Sequence, residues 1–402
     1  MTEPDSPHLL SSSRPFLTVW LVYSVAMLLG VWFLLYPSGL AEHMDFRQLY
    51  TGGYLARTDP ANLYEYARQK EVQDAFVSKA EGLLPFIRPA YEAWLVAPLT
   101  RLPYRIAYFS FLCINLLLLI ACFFIGRDIF SRKGIIAQPR PGLQLFAFFP
   151  VTVAILQGQD SILFLLGVCL VYRMLRSGRG FLAGAVLGLL LLKPQVALPL
   201  ALFLVARYGF SLLAGFAVGG SIVFAASVIL VTWQGFLALL RVLLLTGSVS
   251  VSPNMPTGSF GVFPFIMPNI RGLISGLTAW FLPGKIVFAL TIVLSVCLVL
   301  WAIRILRGTG FDFDAAFSLS TTCAVLASYY LHSHDLTVMQ VPLGLMARTR
   351  NSYISRSTIL FYLAPQLVLL FAYDFVYLLA LPVLMFLYGV FQMSREAAVR
   401  TT

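Results

Sequence analysis

Residues 179–207 read "RGFLAGAVLGLLLLKPQVALPLALFLVAR". Arginines stand at both ends, and the interior is apolar or small except for Lys193 and Gln195 around Pro194. The run exceeds the ~20 residues of one crossing and falls short of two comfortable ones. A lysine at the bilayer centre costs roughly 2.5–3.5 kcal/mol or more, and proline interrupts a helix by removing a backbone donor. A helix break lining a wet cavity answers both problems, because irregular backbone is tolerated at membrane depth where it faces water. The stretch therefore predicts a membrane protein whose helices are broken around polar residues. Residues 143–176, "LQLFAFFPVTVAILQGQDSILFLLGVCLVYRMLR", repeat the arrangement with "QGQD" in the middle. Basic flanks on both sides favour two hairpins with tips pointing outward; the alternative is one long tilted helix per stretch.

The whole chain agrees with that reading. Of its 402 residues, 59% are hydrophobic and 11% charged, with a mean hydropathy of +0.85. Soluble domains carry about a quarter charged residues, so the fold class is an all-α polytopic membrane protein of about 10–12 transmembrane helices. The net charge of +11 does not point to nucleic acid, because the basic residues sit in short loops between apolar runs. The five cysteines all lie inside apolar segments without a CxxC pair; buried thiols are expected, not a disulfide or metal site. The run Phe16–Tyr36 is too long for a signal-peptide core and reads as a retained helix.

Further spans are expected at about 104–126, 210–232, 284–306, 314–331, 335–347, 357–373 and 375–392. Arg127, Arg132, Lys133 and Arg140 place their loop in the cytoplasm, and Arg14 gives weak support for a cytoplasmic N-terminus. Both termini are then cytoplasmic. The chain is one integral membrane domain, 1–402, with an outer cap at 37–90 and a second outer region at 233–283. "PANLYEYARQKEVQDAF" has helical periodicity with mixed charge, and "YEAWLVAPLTRLP" is too short to cross, hence interfacial or re-entrant.

Under this one orientation Asp45 in "AEHMDFRQLY", "QGQD", "KPQ" and "HSHD" all fall on the outer face, and the basic inner loops hold no comparable cluster. Ionisable residues at membrane depth are functional candidates by default. Bland readings stand beside the sharp ones. Asp45 is a catalytic base or a solvated loop charge. Lys193 lines a cavity or snorkels from a helix end. Asp160 and Asp335 are site residues, helix N-caps, or both. Gln157 and Gln159 are ligands or glue between helices. His332 and His334 bind substrate or make interfacial hydrogen bonds; at i and i+2 they face apart on a helix, which argues against a metal. "DFD" at Asp312 and Asp314 reads as the polar entrance to the next helix.

The stretches "MDFRQLYTGGYLARTDPANLY", "APLTRLP", "QGQDSILFLLG", "FLAGAVLGLLLLKPQ" and "SYYLHSHDLTVMQVPL" together resemble the bacterial membrane glycosyltransferases of family 87. These are polyprenol-phosphate-mannose-dependent enzymes of the GT-C fold. The resemblance implies a hexosyltransferase that inverts configuration, with mannose the first choice of sugar. It implies Asp45 as catalytic base, and Lys193, His332, His334 and Arg88 around the donor phosphate with Gln159, Asp160 and Gln195 as further substrate contacts. Its partners would be a polyprenol-phosphate sugar donor, a lipid or glycan acceptor and membrane lipids, with no nucleic acid. It implies no obligatory metal or cofactor, and a bacterial cytoplasmic membrane location with the site facing outward. The competing class is a transporter or flippase for a lipid-linked or small polar substrate, which would show inverted repeats with matched broken helices. A non-catalytic scaffold would leave Lys193 at membrane depth without a reason.

Overall fold

The computed structural model describes residues 40–80, 82–130, 145, 147–247, 263–308 and 311–401. The expected span at 16–36, Arg14, the basic positions Arg132, Lys133 and Arg140, and the loop 248–262 lie outside the described residues. Among the described residues every regular element is helical.

The first described region is built from short pieces. A turn at Leu40–His43 leads into α1 (Phe46–Thr58) and then α2 (Tyr66–Phe76). Helix α2 is polar on one side, with Lys70 and Asp74 paired one turn apart at 2.8 Å; exposed pairs of this kind add only about 0.3–0.5 kcal/mol. Its other side does structural work. Gln73 accepts from the Leu84 amide at 3.0 Å and Gln69 from the Phe86 amide at 2.8 Å. Both glutamines are buried. They hold an extended segment that the Tyr64 hydroxyl also fixes, donating to the Arg88 carbonyl at 2.9 Å. The segment delivers Arg88 to α3 (Ala90–Val96), which with the turn Ala97–Arg101 packs on α1. At seven residues α3 is about 10 Å long, far too short to cross.

Helix α4 (Tyr104–Ile125) is long and apolar enough to span, and α5 (Arg127–Phe130) ends it. The stretch around "QGQD" is divided into α6 (Phe149–Leu156) and α7 (Ser161–Arg176). The stretch around "KPQ" is divided into α8 (Gly180–Leu189) and α9 (Pro194–Tyr208). Neither is one long helix.

Helix α10 (Phe210–Gly247) is bent at Thr232, whose φ is 64°, so its first arm ends where the sequence places a span boundary. This arm lies against α8 with the two backbones in contact. A Cβ on Gly184 would sit 2.0 Å from the Leu212 carbonyl oxygen, and one on Gly215 would sit 1.9 Å from that of Phe181. Gly180, Gly184 and Gly188 repeat every four residues, the small-residue spacing that lets membrane helices approach.

Helix α11 (Ile270–Thr278) leads to α12 (Gly284–Leu306). Only 17% of the most apolar window of α12 is covered by protein, so its mean hydropathy of 2.9 there requires a lipid environment. By contrast every residue from Ala315 to Leu326 in α13 (Phe313–Ala327) is buried. Its buried hydroxyls are satisfied within the helix: Ser320, Thr321 and Thr322 donate to the carbonyls four residues back. Asp312 caps α13, accepting from the Ala315 amide at 2.6 Å, so "DFD" is the polar entrance to a helix.

The expected span at 335–347 is corrected. It is a tight turn, Ser333–Met339, followed by the six-residue α14 (Gln340–Leu345). Together they rise about 23 Å, short of the ~30 Å hydrocarbon core. The chain closes with α15 (Ser352–Phe371), a turn at Tyr373–Leu379 and α16 (Ala380–Thr401). One expectation for the cysteines also changes. Cys122, Cys169 and Cys323 are buried, but Cys113 and Cys297 are exposed; they lie on the apolar spans α4 and α12, where a small thiol is as acceptable to lipid as to a core.

Candidate active site

Asp45 occupies the position before α1. Its neighbour Phe46 is fully buried among Tyr50, Tyr104, Tyr108 and Phe111, with ring centroids 5.0–6.3 Å away. The Phe46 amide donates to the Gln157 carbonyl at 2.9 Å, which ties the start of α1 to the "QGQD" break. Gly158 at that break has φ +63°, and a Cβ there would lie 2.7 Å from the Phe46 Cβ. Only glycine meets both demands. The backbone on either side of Asp45 is thus fixed, while its side chain stays part-exposed at the rim.

Behind Asp45 runs a continuous polar network. Gln159 donates from Nε2 to Asp45 Oδ2 at 2.6 Å and accepts at Oε1 from Arg88 at 2.5 Å. Asn115 steadies the same turn, donating to the Gln159 carbonyl at 3.1 Å. Arg88 also pairs with Glu92 at 2.8 Å and with Asp160 at 2.9 Å. Lys193 lies between Asp160 at 2.8 Å and Asp335 at 2.7 Å. Asp335 further accepts from the Ser161 hydroxyl at 3.2 Å and the His332 amide at 3.1 Å. His334 Nδ1 meets Gln157 Oε1 at 2.8 Å; a carbonyl oxygen only accepts, so that ring nitrogen carries the proton. His332 Nε2 meets the Tyr330 hydroxyl at 2.6 Å.

The elements explain why distant residues meet. Asp160 and Lys193 are the helix-start residues at the two breaks, and α7 packs on α8. The 333–339 turn packs on α6 and α7 and carries His334 and Asp335. Ser328, just past α13, donates to the Gln195 carbonyl at 2.8 Å. Asp160 sits at an N-cap position, yet its carboxylate serves Arg88 and Lys193 instead of the free amides.

Electrostatics decide what the network can do. The Lys193 side chain is 3% exposed, and those of Asp160 and Asp335 are 5% and 2%. A buried ion is kept only when paired, so the two carboxylates account for this lysine. Burial pushes the Glu92 carboxyl well above the usual carboxylate range, and a hydrogen bond to Asp160 adds to the effect. Arg88 and Lys193 thus face Asp160 and Asp335, with Glu92 the carboxyl that burial drives toward its neutral form. Burial also lowers both histidines, against the opposing pull of Asp335, and His334 falls to about 3. Both rings are neutral near pH 7. Asp45 stands outside these ion pairs, held by its hydrogen bond from Gln159.

Asp45, Arg88, Gln159, Asp160, Lys193, His332 and His334 thus converge. Gln195 joins through its backbone carbonyl. The two histidines do not face apart: His332 is extended, not helical, and the ring centroids lie 5.4 Å from each other. Among the described residues no group of three His, Cys, Asp or Glu side chains is arranged to hold a metal ion. Sequence reasoning missed Glu92, Asn115 and Tyr330. Glu92 carried a signal, as the one charge inside the apolar part of "YEAWLVAPLTRLP", and so did Asn115, an amide inside the apolar run of α4; Tyr330 carried none.

No curated protein and no solved structure matches this chain. A family profile does: that of glycosyltransferase family 87 matches residues 86–331, which include Arg88, Glu92, Gln159, Asp160 and Lys193 and stop one residue before His332. The match covers more than half of the chain, and with the helical architecture it makes this protein a member of glycosyltransferase family 87.

Proposed function

We propose that this glycosyltransferase moves a hexose, mannose as first choice, from a polyprenol-phosphate donor to a lipid or glycan acceptor, with inversion. The observation that carries the reading is Asp45: a part-exposed carboxylate, fixed by Gln159 and by its buried neighbour Phe46, at the rim of a neutralised network. An acceptor hydroxyl gives its proton to Asp45, and its oxygen attacks the anomeric carbon from the face opposite the phosphate. The bond from the anomeric carbon to the phosphate oxygen breaks. Polyprenyl phosphate leaves with the electron pair, and Asp45 passes its proton to water. A base works within about 2.6–3.2 Å of the proton it takes, so the lipid-borne sugar has to reach this rim. The reading sets the rim on the outer side of a bacterial cytoplasmic membrane with both termini inside, and the basic residues in the short loops of the sequence support it.

Within this reading Lys193, Asp160 and Arg88 act mainly by holding Gln159 and the histidine turn in place, because carboxylates already take their charge. His334 has committed its proton to Gln157, so His332, with the Tyr330 hydroxyl it meets at 2.6 Å, is the neutral pair that offers a hydrogen bond to the departing phosphate. The reading assigns no role to a metal or organic cofactor.

The test is a transfer assay with purified protein, radiolabelled polyprenyl-phosphate mannose and an envelope lipid extract. Asp45→Asn should lower turnover by about 10²–10⁴-fold, the usual contribution of a general base, with an unchanged thermal unfolding midpoint. Transfer at the wild-type rate by the variant would remove Asp45 from the mechanism. No transfer by either protein, across other polyprenyl-linked sugars and acceptors, would favour the transporter class.

A further inference from the structure

A second feature lies beside the network and is not used by it. Between α11, the start of α12 and the 373–379 turn there is a cleft of about 540 Å³, within the ordinary size range of small-ligand sites. Its lining is largely apolar and includes the aromatic residues Phe265, Trp280, Phe288, Phe375 and Tyr377. Trp280, Phe288 and Phe375 are also exposed at its edge, so the cleft opens on an apolar surface of a membrane protein. Its polar lining is Ser275, Thr291 and two charged residues, of which Arg271 is 5% exposed. Asp374, the other charged lining residue, stands exposed at the rim. The Arg271 guanidinium lies 3.9 Å over the Tyr329 ring and donates to the Tyr329 carbonyl at 3.3 Å. Among the described residues no carboxylate pairs with it, and burial accordingly pulls it below the usual arginine range.

The cleft is mechanically continuous with the Asp45 rim. Asn269 caps α11 by accepting from the Gly272 amide and donates to the Ser328 carbonyl at 2.7 Å. Ser328 in turn holds the "KPQ" break. Tyr330 lies in the field of Asp45, Asp335 and Arg88 and also of Arg271. Tyr373, next to the cleft residue Asp374, also lies in the field of Asp45.

Charge accounting makes this arrangement informative. Arg88 and Lys193 are matched by Asp160 and Asp335, so the network has no spare positive charge for an anion. Arg271 does, and the Tyr329–Tyr330 pair it packs on links the apolar cleft to His332. We propose that this cleft is the seat of the donor lipid: Arg271 holds the phosphate, and the aromatic walls hold the phosphate-proximal isoprene units while the rest of the chain lies in the bilayer. The inference rests on the polyprenol-phosphate reading above. It makes Arg271 a substrate-binding residue outside the set that sequence reasoning assembled.

The experiment uses the full chain in lipid nanodiscs and a sugar-free polyprenyl phosphate carrying a diazirine on its first isoprene unit. Photolabelling should fall on residues 264–288 and 373–377. It should be competed by unlabelled polyprenyl phosphate and not by the matching polyprenol or by a diacyl phospholipid. Arg271→Gln should weaken binding by about tenfold or more, as loss of a charge-assisted contact does. It should raise the donor KM by a similar factor with little change in kcat. Arg271→Lys should restore most of the affinity, and Ala279→Trp, at the cleft edge, should weaken binding with Arg271 intact. Asp45→Asn should label like wild type. Labelling elsewhere, equal competition by the polyprenol or the phospholipid, or unchanged affinity in Arg271→Gln would overturn the assignment while leaving Asp45-dependent transfer standing. Labelling in the cleft of a protein that transfers no sugar would keep the lipid seat and remove the transferase mechanism.

Discussion

Replacing Gln159 by leucine separates the base from the network without touching the base itself. Gln159 is a two-sided clamp: one amide atom donates to Asp45 at 2.6 Å and the other accepts from Arg88 at 2.5 Å. Leucine of similar size removes both contacts. A hydrogen bond to a charged group contributes about 1.5–3 kcal/mol. If that whole amount is lost from the transition state, at 1.36 kcal/mol per tenfold in rate kcat falls by about 10- to 160-fold. The loss also leaves an Arg88 nitrogen without its partner, so stability should drop by about 1–3 kcal/mol. Asn115→Leu is the matched control. It removes the 3.1 Å bond that steadies the same turn through the Gln159 carbonyl, but leaves both amide contacts of Gln159. The assay is sugar transfer at saturating donor, paired with thermal unfolding of each purified variant. Gln159→Leu should lose turnover well beyond Asn115→Leu at a comparable unfolding midpoint. Equal losses in the two variants, or a Gln159→Leu rate within about threefold of wild type, would refute the clamp.

Acidification tests the histidine pair. Both rings titrate lower in the folded protein than in the unfolded chain, so below about pH 6.5 the unfolded state binds more protons and stability falls at roughly 1.4 kcal/mol per pH unit per histidine. The unfolding midpoint should drop from pH 7 to pH 5, and His334→Gln should flatten that slope; an unchanged slope would show that His334 does not titrate this way. Lys193→Met leaves Asp160 and Asp335 facing each other without their shared cation and should destabilise the fold by about 3–5 kcal/mol, read as a lowered unfolding midpoint in detergent. A midpoint equal to wild type would mean the pair is solvated. Gly184→Leu puts side-chain atoms where a Cβ alone is 2.0 Å from the Leu212 carbonyl oxygen; it should separate α8 from α10 and lower both yield and midpoint, whereas the same change at Gly178, which has nothing within 4 Å but φ +73°, should cost only the strain of that turn.

How much was legible in the sequence varied with the physics behind each signal. Apolar length and the exclusion of charge are properties of single segments, so the helical membrane class could be read directly, as could the breaks at Gly158 and Pro194. A proline or a charged residue inside an apolar run is a local contradiction that the backbone has to answer locally. The candidate residues Asp45, Gln159, Asp160, Lys193, His332 and His334 were visible for the same reason: each is polar where its neighbours are not. Their roles were not visible. Lys193 alone reads as a cation available to a phosphate, and only the approach of α7, α8 and the 333–339 turn shows two carboxylates around it. The two histidines read as diverging because a helix was assumed; the extended backbone at His332 turns the rings together. Glu92 and Arg271 stood in view as single charges in apolar or loop sequence, but nothing local said that one would be buried beside Arg88 and Asp160 and the other left without a carboxylate among the described residues.

By itself the sequence determined that this chain belongs in a bilayer, where its helices break, and which side chains could not be there by accident, because those follow from the cost of moving each residue out of water. Only the tertiary structure decided which charges cancel and which remain. Pairing depends on distances of a few ångströms between residues more than a hundred positions apart, such as Gln159 and Asp45 or Lys193 and Asp335, and the energy of a charge in a low-dielectric interior is set by those distances and not by the residue's own identity.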